Sequence, residues 1–175
     1  MQLYSLDCES RSAVDWAAFF GVLIDEDEFL SRLPLSDNPD EGFVGSVHGM
    51  QGQIPPLSYG VHAAPIAQLL RAYGLPAEER RGLTWEELQA QIAAGRPVIA
   101  WVIYGLGEGN PVSYTSASGQ TTIVAAYEHT VLVIGYSPDS VTVLDGDWRQ
   151  TVPVERFLIS WAVLGNMAIL YAALP

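Results

Sequence analysis

One cysteine, Cys8, stands in a chain of 175 residues, and its thiolate would be the strongest nucleophile available to it. Apolar residues at Ala13, Trp16, Ala17 and Phe20 follow at helical spacing and stop at Gly21, which puts the thiol at or near a helix N-terminus. Unpaired N–H groups and the helix dipole favour a thiolate there, whereas Asp7 and Glu9 on either side push the thiol pKa up. A cysteine nucleophile also needs an imidazole base, and the base needs a third group to orient it. His129 opens one apolar strand pattern and Asp145 closes the next. A hairpin turn over 137–140 would make the two cross-strand neighbours within about 5 Å, with Asp147 as the alternative orienter. Gln2, six residues before Cys8, could join the Cys8 N–H in holding a tetrahedral oxyanion. Taken singly, each residue has a plainer reading: a small buried apolar group for Cys8, a satisfied structural group for His129, and a solvated amide for Gln2.

The elements that must position these groups change character along the chain. Asp25 can cap a second helix through Phe29 and Leu30 that ends by Pro34. Residues 34–60 hold five glycines and four prolines with little periodicity, a long irregular connection of the kind that lines functional sites. A third helix is expected over 61–73, and Thr84 with Glu87 forms a capping box for a fourth over 85–93. Segments 97–104, 130–136, 141–145 and 167–172 are short and rich in Val, Ile and Tyr, which favours strands. Residues 113–120 read as a loop tip, and 153–161 as a late helix with Pro153 at its start. Helices first and mostly antiparallel strands after them is the α+β pattern, in one domain over 1–175 that is compatible with a place in a longer protein.

Twenty acidic residues face eight basic ones, all Arg, for a formal charge of −12. That balance excludes the positive footprint of a nucleic-acid binder and disfavours anionic membrane surfaces. No apolar stretch reaches the roughly 20 residues of a membrane helix. A single cysteine allows no intrachain disulfide and no multi-Cys zinc site. No basic segment with a long apolar run marks a signal peptide, so cytoplasm and cell envelope both stay open. Among the other candidates, His62 reads as a helix-surface or capping group and His48 as an exposed loop residue. The glycines at 105, 107 and 109 fail as a phosphate loop because Asn110-Pro111 follows where a helix should start. The acids at 25–28 with Asp37, Asp40 and Glu41 lack the alternate spacing of a calcium loop and read as a solvated face. The five tryptophans read as core, with Trp148 alternatively walling a substrate groove.

In order and spacing, Gln2, Cys8, His129 and Asp145 resemble the papain-like cysteine peptidases. The closest likeness is to the bacterial domains similar to bacteriocin-processing, double-glycine leader peptidases. The run from Ala94-Gly95-Arg96-Pro97 into Val98-Ile99, and His129 followed by Thr130-Val131-Leu132-Val133-Ile134-Gly135-Tyr136, carry the likeness most specifically. The resemblance implies N-terminal helices packed on a mostly antiparallel sheet, a Cys8 nucleophile, a His129 base, an Asp145 orienter and a Gln2 oxyanion donor. It also implies a peptide or protein substrate and no metal or organic cofactor. Gly-Pro commonly follows the cysteine in that family, whereas Glu9-Ser10 follows here and places a charge beside the nucleophile. The expected function is therefore a thiol hydrolase of peptide or amide bonds. The alternatives are a catalytically weak or inactive domain that binds peptides, and a scaffold within a longer protein.

Overall fold

The computed structural model describes residues 4–172. Its centre is a six-stranded antiparallel sheet in the order β1 (Ala77–Arg80), β8 (Ala168–Tyr171), β2 (Val98–Ile103), β5 (Glu128–Tyr136), β6 (Ser140–Asp145) and β7 (Trp148–Pro153). All six residues of β2 are buried. Ile99, Trp101 and Ile103 enter one core, and Val98, Ala100 and Val102 the other. A strand covered on both faces needs an unbroken apolar run, and that is what its sequence supplies.

The first core is closed by α1 (Cys8–Phe19), α2 (Glu26–Ser31) and α3 (Ala63–Ala72) through Trp16, Phe29, Ile66 and Leu70. The second is closed by α4 (Trp85–Ala93) and α5 (Val154–Ala162) through Leu88, Phe157 and Trp161. The helices thus lie on both faces of the sheet, where the sequence pattern led us to expect a helical layer on a sheet. Each fully buried indole that spans a core has an acceptor: Pro97 O for Trp16 at 2.8 Å, Val61 O for Trp101 at 3.0 Å and Met167 O for Trp161 at 2.9 Å. Without such partners, the buried N–H groups would cost a few kcal/mol each.

Local chemistry accounts for the helix starts. Asp25 accepts from Glu28 N at the head of α2, and Thr84 and Glu87 form a reciprocal capping box on α4. Segment 113–120 does turn at its tip, but its flanks pair as a hairpin of β3 (Val112–Thr115) and β4 (Thr121–Val124). Trp148 is 80% exposed at the start of β7, so it is not core. The acidic face is solvated except at Asp40 and at Glu26, whose carboxyl is pushed up to about 7 by burial and by neighbouring Asp7. No helix among the described residues is long and apolar enough to cross a membrane.

His62 stands at the N-cap position of α3, but it is not on the surface and its side chain caps nothing. It precedes α3 fully buried, makes no side-chain cap bond, lies 2.6 Å from Asp40 Oδ1 through Nδ1, and faces the Tyr59 hydroxyl at 3.3 Å. Arg81 bonds the same Asp40 oxygen. Burial would raise the Asp40 carboxyl, but the His62 hydrogen bond and the surrounding positive potential outweigh it and hold the pKa at about 2. A depressed carboxyl stabilises the fold above its ordinary pKa of 3.8, and that stability is lost as pH falls through the folded value. Asp40→Asn is expected to cost about 2 kcal/mol at pH 7, with the gap to the unaltered chain closing between about pH 4 and pH 2. Urea unfolding across that range checks it, and a gap independent of pH would refute this account of Asp40.

Candidate active site

Cys8 is the first residue of α1, and Asp7 O accepts the first helical bond from Arg11 N at 2.8 Å. The cysteine is buried, and Ser12 one turn on bonds Thr130 Oγ1 at 2.9 Å, which ties the helix to β5. In β5 the strand period alternates Glu128, His129 and Thr130 at the sheet end, all three buried. The Thr130 N–H points at the Cys8 sulfur.

His129 Nε2 lies 2.8 Å from Asp145 Oδ1. A carboxylate only accepts, so Nε2 carries the proton and Nδ1 remains the nitrogen able to take one. The ladder pairs Leu132 with Leu144. Continued to the strand end, that register sets Asp145 diagonal to His129 rather than directly opposite, and the two side chains close the gap. Asp147 instead faces the Arg11 guanidinium at 3.5 Å. The Tyr104 ring packs edge-on against the imidazole, centroids 5.4 Å apart.

Cys8 and His129 line one cleft together with Ser5, Leu6, Gln51, Tyr104, Tyr127 and Glu128. The cleft is narrow, with about 10 Å³ of free volume, roughly the room one water needs. Two wider depressions, of about 420 and 520 Å³ beside α5, share no lining residue with it. Gln2, the expected oxyanion donor, lies outside the described residues.

Glu9 is the group that sequence reasoning placed beside the thiol without giving it a partner. It is buried, its Oε1 accepts from Val61 N at 2.6 Å, and its Oε2 accepts from Cys8 Sγ at 3.1 Å. Glu128 was missed altogether, although an acid directly before His129 at the head of an apolar strand is a visible anomaly. Cys8, Glu9 and Glu128 place one ligand-type atom each within 4.8 Å of one another. Burial pushes the Cys8 thiol well up, and the Glu9 and Glu128 carboxylates add to it. Burial likewise raises Glu128, with Glu9 adding to the effect. Burial raises Glu9 as well, but the N–H groups of Val61 and of Glu9 itself offset it, so Glu128 is the more strongly raised of the two acids.

A cysteine opening a helix against an antiparallel sheet that carries a hydrogen-bonded His and Asp is the layout of the papain-like peptidases. A model of the Peptidase_C39 like family matches residues 6–169, and the chain belongs to that family. Among solved structures, it is similar to a proposed C39-like peptidase from Bacillus anthracis. The two share 25% identity over 99% of this chain and 92% of that one, with a TM-score of 0.86. No curated protein matches the chain.

Gly60 makes the close approach of the two acids possible. Its φ is +125°, and a Cβ there would overlap Glu9 Oε1 and stand 3.2 Å from Glu128 Oε2. Gly60→Ala is expected to cost about 1–3 kcal/mol of unfolding free energy and to speed Cys8 alkylation at fixed pH by displacing Glu9 from the sulfur. Urea unfolding and timed iodoacetamide labelling check the two effects, and an unchanged unfolding midpoint would show that no such cradle exists.

Proposed function

We propose that this chain is a thiol hydrolase of peptide or amide bonds, with Cys8 as nucleophile, His129 as base and Asp145 holding the imidazole. The observation that carries the reading is the His129–Asp145 bond of 2.8 Å at a cleft that Cys8 also lines. His129 Nδ1 takes the thiol proton, and the thiolate attacks the carbonyl. The Cys8 N–H, with Gln2 as the second donor, holds the oxyanion. The imidazolium then gives its proton to the leaving amine, and water releases the acyl group from sulfur.

In the resting arrangement the thiol donates to Glu9 Oε2 at 3.1 Å, so the cycle begins with the S–H turning from Glu9 to the imidazole. The exposed rings of Tyr104, Tyr127 and Trp148 offer apolar surface near the cleft and the sheet end. A formal charge of −12 favours substrates that are not themselves acidic.

A second reading, a peptide-binding module without turnover, is favoured by the raised thiol pKa. One experiment separates the two: a fluorogenic peptide library is incubated with the unaltered chain and with three variants. The hydrolase reading expects cleavage that is abolished in Cys8→Ala, reduced by about 10²–10⁴-fold in His129→Ala and impaired in Asp145→Asn. Peptides bound equally by the unaltered chain and Cys8→Ala, with no cleavage by either, would replace it with the binding module.

A further inference from the structure

The acids beside the thiol form a donor set that the hydrolase reading does not use. Cys8 Sγ, a Glu9 oxygen and a Glu128 oxygen lie within 4.8 Å of one another, on three buried residues. Among the described residues no Arg bonds to any of the three, and the chain contains no Lys. Glu128 is 9% exposed, and its Oε1 is buried with no hydrogen-bond partner. Its other oxygen faces the Gly60 cradle alongside Glu9 Oε1. A buried carboxyl oxygen left unpaired costs a few kcal/mol unless something else satisfies it, and buried acids are characteristically paired or coordinate a metal.

We propose that Cys8, Glu9 and Glu128 form a binding site for a thiophilic divalent cation of the Zn²⁺ type, which masks the nucleophile reversibly. One sulfur and two oxygens suit Zn²⁺, whereas Ca²⁺ and Mg²⁺ take oxygen alone. With Zn–S near 2.3 Å and Zn–O near 2.0 Å, one sulfur and two oxygens in tetrahedral positions stand about 3.3–3.5 Å apart. Cys8 Sγ and Glu9 Oε2 are already 3.1 Å apart, and the third donor lies within the same 4.8 Å. Small side-chain rotations about the Gly60 gap close the set. Three protein ligands leave a fourth position toward the cleft, whose roughly 10 Å³ admits a water-sized ligand. The inference rests on the hydrolase reading only in that the ion occupies the proposed nucleophile.

Co²⁺ serves as the probe, because a cobalt–thiolate bond gives a near-ultraviolet charge-transfer band whether or not the chain hydrolyses anything. Titration of the metal-free chain is expected to give this band with one equivalent bound, and one equivalent of Zn²⁺ should abolish it and block iodoacetamide labelling of Cys8. Cys8→Ser should give no band, and Glu128→Gln should bind at least about 10-fold more weakly. If the Gln variant does not fold, Glu128→Asp, which withdraws the carboxylate by one methylene, should weaken binding in the same direction. No band at saturating Co²⁺, or a band of unchanged affinity when Glu128 is altered, overturns the proposal. Peptide cleavage is scored in parallel on the metal-free chain. Cleavage without a band defeats the metal site alone, and a band without cleavage defeats the hydrolase reading alone.

Discussion

A carboxylate carried into the interior must find donors, and Glu9 finds one on another residue for each of its oxygens. Val61 N–H satisfies one oxygen and the Cys8 thiol the other. Those two bonds join the start of α1, the end of the irregular 34–60 segment and the reactive sulfur in one small volume. Removing either partner would leave a desolvated charge, whose cost exceeds that of most surface interactions in the molecule. The position of the helix head, the closeness of Gly60 and the rotamer of the thiol are therefore set together.

The sheet supplies the other half of the site as a ruler. β2 is packed on both faces, and its register with β5 pairs Val102 with His129 and Ile103 with Glu128. The strand period then turns Glu128 and His129 to opposite sides of the sheet end. Glu128 meets Cys8 and Glu9, while His129 meets Asp145 and still lines the cleft that Cys8 lines. A slip of one residue would exchange them and set a carboxyl, in place of the imidazole, beside Asp145. The two apolar cores forbid it, because the same slip would reverse Val131 and Leu132.

What could be read from the sequence was whatever local chemistry or a strong apolar period dictates. The capping box at Thr84 and Glu87, the stop of α1 at Gly21 and the turn that brings His129 near Asp145 are of this kind. β1 and β7 escaped because they are the outer strands of the sheet. Ala77-Glu78-Glu79-Arg80 and Trp148-Arg149-Gln150-Thr151 are mostly solvated, and edge strands carry charge instead of an apolar period. His62 was misread for a different reason: the Tyr59 and Asp40 groups that allow it to be buried come from the aperiodic segment before it. The meeting of Glu9 with Glu128 depends on how a helix docks on a sheet, which no spacing rule encodes.

The balance of charge at Cys8 decides how such a site can work. A helix N-terminus stabilises an adjacent anion by about 0.3–1 kcal/mol, up to about 2 in favourable geometry. A unit charge about 4 Å away, at the effective dielectric of a protein site, opposes it by about 4 kcal/mol, and burial adds to the opposition. The helix therefore loses to the acids, and the sulfur rests as a thiol. On the proposed hydrolase reading, activation comes from whatever weakens the hold of Glu9 and Glu128: a substrate that opens the cleft and turns the S–H toward His129. A cation entering the same volume would remove that repulsion by the opposite route, binding the thiolate instead of freeing it. The two carboxyls, Glu9 beside the cysteine and Glu128 across from it, thus govern the state of the Cys8 sulfur in either case.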